Sequence, residues 1–392
     1  MQPALHVPTA ARKTLKLQLS FVFSATSPRK KDVSRKSSKT KLQVFLNQAT
    51  LTKFLNSELK NVNLKDFHPF QKAMQKTSAK PSRAQSSSRE CKNPQETKQV
   101  VNKYLIFLGC AIPYRVSGYE ISARKVLAKL GVELMEMPEF NCCGLPLDPV
   151  SHETMLILAA KNLALAEQQG LNILTLCPGC AGTLKKVNKI LREDKVQREQ
   201  INLHLKEAGL EFKGTIETKH LLQLLKEDVG LEKIRASVVK PLTNLKVAEH
   251  NGCHILRPKE YIGFDDPEDP QTLKMLIEAT GATCLDYIDE TECCGAPSVG
   301  VSDKVALSLA RDKLNHVKQV DAQALITICP FCHIMYDTNE LRIEKLFNET
   351  YGIPIIHYPQ LLGLAMGMAP EELAFNELRV NASNLLKQLV SR

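Results

Sequence analysis

No tryptophan occurs in this chain of 392 residues, and aromatic residues make up only 5% of it. The few aromatics near the N-terminus do not alternate with basic residues as a base-stacking platform would, which disfavours a nucleic-acid arm. Long apolar runs are missing too. The longest are strand length, far short of the ~20 residues a bilayer-spanning helix needs, so the sequence does not read as an integral membrane protein. Acids are scarce at one end only: residues 1 to 90 hold 18 Lys/Arg against 4 Asp/Glu, a surplus of +14 within a total of +10. The rest therefore carries about −4 and has no bulk charge that invites nucleic acid. A firm secretory core is also lacking, because the apolar run Leu15 to Phe23 is broken by Lys16 and Gln18.

Residues 1–100 are read as a basic, Ser/Thr-rich low-complexity extension that is disordered or processed. An organelle transit peptide and a start codon upstream of the true one are equal alternatives. The expected location is cytoplasmic, or an organelle lumen if the extension is a transit peptide. What remains is long enough for two domains with a core each, placed at residues 101–244 and 245–392, the second with C-terminal helices.

Ten of the twelve cysteines fall into two sets of identical order. Cys110, Cys142, Cys143, Cys177 and Cys180 form the first, and Cys253, Cys293, Cys294, Cys329 and Cys332 the second. The spacers are 31, 33 and 2 residues in one and 39, 34 and 2 in the other. Corresponding cysteines are offset by 143 residues at the lone Cys and by 151 or 152 elsewhere, the mark of a duplicated domain.

The pattern around them alternates strand and helix. Tyr104 to Leu108 reads as a strand, Ser117 to Leu130 as a helix closed by Gly131, and Val132 to Met137 as a strand leading to Asn141-Cys142-Cys143-Gly144. Ser151 caps a helix running to Gln169, and Ile173 to Leu176 runs into Cys177-Pro178-Gly179-Cys180. The second copy repeats this with Lys246 to His250, a helix starting at Asp269-Pro270, Thr283 to Ile288, a helix capped by Ser302, and Ala324 to Ile328. The fold class is therefore α/β: two tandem pseudo-symmetric cysteine-rich domains with parallel sheets, whose strand ends gather in one crevice.

Adjacent cysteines can close only a strained ring, so Cys142-Cys143 and Cys293-Cys294 are better read as thiolates that ligate metal. Tetrahedral zinc needs four thiolates per site and each set offers five. A chain with this apolar content needs no disulfide framework. Soft all-thiolate sites favour iron–sulfur clusters, with zinc or redox-active dithiols as alternatives.

This arrangement resembles the CCG-domain family, in particular the B-type subunits of CoB–CoM heterodisulfide reductase. Tyr104-Leu-Ile-Phe-Leu-Gly-Cys110, Gly252-Cys253-His254-Ile-Leu-Arg257-Pro258 and the stretch from His357 to Leu364 add to the likeness, which covers about residues 101 to 392. Spacers of 33 and 34 depart slightly from the family's usual 35 or 36. The resemblance implies one noncubane [4Fe-4S] cluster per repeat, each held by its five cysteines, with a small-molecule disulfide cleaved or formed between them. Cys143 and Cys294 would then be essential to catalysis. It also implies a ferredoxin-like iron–sulfur partner of the C type, fed by a flavin-bearing partner of the A type. An electron-transfer component of CCG type in a lactate, glycolate or fumarate-type oxidoreductase is the rival, and a zinc-bound scaffold the rival from another class.

His254, Arg257 and His333 adjoin the cysteines and can orient an anionic substrate or donate protons, although second-layer packing is the simpler reading. His220 and His357 read as packed core histidines, and Cys91 and Cys284 as spare thiols.

Overall fold

The computed structural model describes residues 102–390. The extension read over residues 1–100, and Cys91 with it, lie outside the described residues. Two parallel four-stranded sheets follow each other in the chain. The first contains β1 (Asn102–Phe107), β2 (Val132–Met135), β3 (Ile173–Thr175) and β4 (Thr218–His220) in the order β2-β1-β3-β4. The second contains β5 (Lys246–His250), β6 (Thr283–Leu285), β7 (Ala324–Thr327) and β8 (Ile355–His357) in the order β6-β5-β7-β8. Corresponding strands hold the same places, and the inner strands β3 and β7 are buried along their whole length and apolar but for a closing Thr, as parallel sheets covered on both faces require.

The helices follow from local signals. α1 (Ser117–Lys129) connects β1 to β2. α2 (His152–Gln169) starts where Ser151 Oγ accepts the Thr154 N–H at 3.2 Å, and it ends at Gly170, which is left-handed at φ 63°. α3 (Pro178–Glu193) begins directly after Cys177 and is followed by α4 (Lys195–Lys206), α5 (Leu231–Ser237) and α6 (Thr272–Glu278). α7 (Asp303–Gln319) is capped by Ser302 as expected. α8 (Glu340–Phe347), α9 (Tyr358–Ala365) and α10 (Ser383–Val390) complete the chain.

Three sequence expectations shift. α6 starts at Thr272, not at Asp269-Pro270, because the carboxylate that accepts the Thr272 N–H belongs to Asp265, at 2.8 Å. β6 stops at Leu285, and Tyr287 beyond it turns inward to donate to the Glu249 carbonyl at 2.8 Å. β4 and β8, three residues each, are edge strands that the sequence pattern did not disclose.

The two halves share a core. One buried apolar cluster runs from Phe107 and Leu127 in the first half to Ile328, Ile356 and Leu361 in the second. Tyr119 of α1 is buried and donates its hydroxyl to the Ile328 carbonyl at 2.9 Å. Its ring stacks on His357 at 3.9 Å and 7°, and His357 stacks in turn on His333 at 4.2 Å. Among the described residues no helix is long and apolar enough to cross a membrane.

Candidate metal centre

Each of the ten repeated cysteines lies in the loop or turn that follows a parallel strand. Cys177 caps α3 and Cys180 sits in its first turn, with Pro178 at the first helical position, where a missing N–H costs nothing. Cys329 and Cys332 repeat this at the turn Pro330–His333. In such a turn the Gly179 and Cys180 N–H groups face the Cys177 sulfur and, with the Cys180 thiol, hold its pKa below the usual thiol range.

The paired cysteines hang from glycines that accept no other residue. Gly144 has φ 92° and Gly295 φ 84°, and a Cβ on either would fall 2.9 Å from Met155 backbone or 2.5 Å from the Ala306 carbonyl oxygen. Their N–H groups approach Cys142 Sγ and Cys293 Sγ at 3.4 Å. The lone cysteines follow glycines as well: a Cβ on Gly109 would meet Cys180 Sγ at 2.9 Å, and one on Gly252 would meet Cys329 Cβ at 3.2 Å.

The result is two connected rows of sulfur. Cys110 contacts Cys142, which contacts Cys143, then Cys180 and Cys177. Cys253, Cys293, Cys294, Cys332 and Cys329 form the same row in the second half. Thiol donors on either side and a backbone N–H pull Cys142 far below the ordinary thiol range and Cys293 down to about 2. The neighbouring sulfurs go the other way. Hydrogen bonding to Cys142, burial and the charges of nearby thiolates push Cys110 up, and Cys253 responds likewise to Cys293. Five converging sulfurs can thus carry little negative charge alone and ionise together only around a cationic core, which is the chemistry of an iron–sulfur or multinuclear metal site. The residues fit such a group.

The two rows border one seam. The turn Cys253–Ile255 packs against the N-terminal end of α3, so that a Cβ on Gly182 would lie 3.2 Å from the His254 carbonyl oxygen and one on Gly252 would lie 3.7 Å from Pro178. Tyr119 feels both Cys177 and Cys329. His254 stands at this seam with Nδ1 3.4 Å from Cys253 Sγ. Arg257 turns elsewhere, to the Pro267 carbonyl at 2.8 Å and to Glu268 at 3.3 Å. His333 is buried in the ring stack, with Nε2 3.5 Å from Asp337, whose carboxylate takes the N–H groups of Arg379 and Val380. His220 and His357 are buried, as expected. Cys284 is buried in β6, where burial raises its pKa, and it belongs to neither row.

Three residues escaped the sequence reading. Asn162 of α2 is fully buried, accepts the Asn141 N–H at 3.0 Å and donates to the Cys142 carbonyl at 3.1 Å, which fixes the first Cys-Cys loop. Lys313 of α7, 151 positions later, reaches the Asp289 carbonyl in the second loop, and burial lowers its pKa to about 8. The third, His250, ends β5 with a ring nitrogen grouped with the sulfurs of Cys294 and Cys332, all within 4.8 Å of one another. Neither of its ring nitrogens has a hydrogen-bond partner, although a buried polar group left unpaired costs about 1–3 kcal/mol. The signal available was the duplication itself, since the offset of 143 that relates the lone cysteines also pairs His250 with Phe107.

Comparison with known proteins finds a family match in each half and relatives along most of the described chain. The cysteine-rich domain family matches residues 104–185 and 247–337, one match per half. The chain is 36% identical over 291 residues to the B subunit of the ferredoxin/F420H2-dependent CoB–CoM heterodisulfide reductase of Methanosarcina acetivorans, covering 73% of this chain and 97% of that protein. It is 31% identical over 287 residues to the 8-methylmenaquinol:fumarate reductase membrane anchor subunit of Wolinella succinogenes, covering 72% and 99%. The crystal structure of a hypothetical protein from Helicobacter pylori superposes with a TM-score of 0.59 at 17% identity, over 76% of this chain and 55% of that one, a likeness of fold.

Proposed function

We propose, from the premise that this chain belongs to the cysteine-rich CCG domain family together with the heterodisulfide reductase B subunits, that it is an iron–sulfur oxidoreductase component that cleaves or forms a small-molecule disulfide. Cys110, Cys142, Cys143, Cys177 and Cys180 hold one [4Fe-4S] cluster of noncubane type, and Cys253, Cys293, Cys294, Cys329 and Cys332 hold the other. The observation that carries this reading is the pair of five-sulfur rows bordering one seam, each with one sulfur more than a tetrahedral site uses. When bound, two such clusters supply the two single electrons that S–S cleavage consumes.

The chain's own groups supply the rest. Cleavage of a disulfide to two thiols takes two electrons and two protons; His254, next to Cys253 at the seam, hands over one proton and solvent supplies the other. Arg257, held by Pro267 and Glu268, supports its loop instead of the substrate. Electrons arrive from a ferredoxin-like iron–sulfur partner fed by a flavin-bearing one, in the cytoplasm, or in an organelle lumen if the N-terminal extension directs the chain there.

The Wolinella relative, aligned over 99% of its length, favours one second reading, in which the chain passes electrons for a fumarate-type oxidoreductase and no disulfide enters. Turnover separates the two. In a complex with its partner proteins, Cys294→Ser abolishes thiol release from a disulfide substrate and leaves the partner's dye-linked activity intact. No thiol release by the natural complex would sink the disulfide chemistry, and undiminished release by the variant would remove it from Cys294.

A further inference from the structure

The two halves offer nearly the same donors in the same order, and the strand that leads to the lone cysteine is where they part. β1 ends in Phe107 and β5 in His250, three residues before Cys110 and Cys253. Phe107 closes its place with carbon, packing on Phe140 at 5.2 Å. His250 puts an imidazole there. It is 1% exposed, its ring meets Tyr336 edge-on at 5.2 Å, and neither nitrogen has a hydrogen-bond partner. One nitrogen groups with Cys294 Sγ and Cys332 Sγ, the third and fourth members of the second sulfur row. In the first half, the residue that precedes Cys143 and Cys180 at the matching strand end is a phenylalanine, which offers no donor.

We propose that His250 is a sixth donor of the second site, its ring nitrogen ligating iron beside Cys294 and Cys332, so that the two centres are chemically unequal. This rests on the cluster-binding reading above. The geometry supports it in two respects. The ring is locked by burial and by Tyr336, with a lone pair left over, as a metal-ligating histidine requires. The Glu290 backbone lies near the ring, outside hydrogen-bond geometry here, where a ligating histidine finds an acceptor for its other nitrogen. The buried Lys313 ammonium, standing beside Cys332 where the first half has the neutral Asn162, raises the reduction potential of the second centre. The second centre is then the one reduced first.

Anaerobic reconstitution of the full chain tests this with iron and sulfide counts, pulsed magnetic resonance of the reduced protein and a redox titration. Expected are a strong nitrogen hyperfine coupling on one of the two centres and two separate reduction steps. His250→Phe, which copies the first half, keeps the iron and loses the nitrogen coupling. Phe107→His is the complementary variant and adds nitrogen coupling to the other centre, which keeps the test open if His250→Phe fails to fold. Full iron with no strong nitrogen coupling in the natural protein overturns the ligand role and leaves the cluster reading intact. Failure to take up iron and sulfide at all overturns both.

Discussion

Replacing Gly295 by alanine separates two costs that are usually confounded. The residue has φ 84°, a conformation that disfavours any L side chain by about 1–2 kcal/mol. Gly170, closing α2 at φ 63°, carries the same conformational cost, but a Cβ there meets nothing within 4 Å. At Gly295 the new Cβ would lie 2.5 Å from the Ala306 carbonyl oxygen, about 0.9 Å inside the 3.4 Å at which ordinary contact begins. The oxygen belongs to helix backbone and cannot swing away, so the loop bearing Cys293 and Cys294 must move. Overpacking of this kind adds about 1–3 kcal/mol, which gives about 2–5 kcal/mol for Gly295→Ala against about 1–2 for Gly170→Ala. A shift of that size also exceeds the ~0.5 Å within which a preorganised site must be held. Urea unfolding should therefore place Gly295→Ala clearly below Gly170→Ala in midpoint, and reconstituted Gly295→Ala should carry about half the iron, as expected for one surviving cluster of two. Equal midpoints together with full iron in both variants would refute the steric reasoning.

Further consequences are equally direct. Cys142→Ala should lose about half of the iron, whereas Cys284→Ala should lose none, because Cys284 lies in β6 outside both sulfur rows; iron assay after reconstitution checks both. Glu340 is buried, which raises its carboxyl to about 8, and only one of its oxygens is paired, with the Ile353 N–H. The folded state thus keeps a proton that the unfolded chain gives up near pH 4.5, and stability present below that pH is lost as the pH rises to about 8. Glu340→Gln should flatten the fall, so its stability relative to the natural protein should rise from about pH 5 to about pH 9; parallel pH curves would contradict this. Tyr119→Phe keeps the ring on His357 but strips the Ile328 carbonyl of its donor, at a cost of about 1–3 kcal/mol. Because Tyr119 and Ile328 lie in different halves, the whole described fold should lose stability in a single shifted transition, measured by circular dichroism.

The regular elements were legible because each carries a local cause. Ser151, Ser302 and Gly170 act where capping chemistry places them, and apolar runs such as Ala324–Thr327 can only be buried strands. The duplication made the gathering of the cysteines readable, since equal spacing over two alternating strand and helix patterns leads to equal topology. What stayed hidden depends on groups distant in sequence. The start of α6 is set by Asp265, seven residues before the N–H it accepts. β4 and β8 are too short to show a period and exist because β3 and β7 offer them a free edge. Asn162 and Lys313 look like ordinary helix residues until the helices pack and point them at the cysteine loops. His250 has the same disguise, a polar residue at the end of an apolar strand, and only the packed site shows its nitrogens without partners.

Counting inorganic atoms tests the central claim most directly. Full-length chain prepared and reconstituted without oxygen should carry about eight iron and about eight acid-labile sulfide per chain, as two four-iron clusters require. About two zinc with no sulfide, each on four of the five sulfurs, would contradict it.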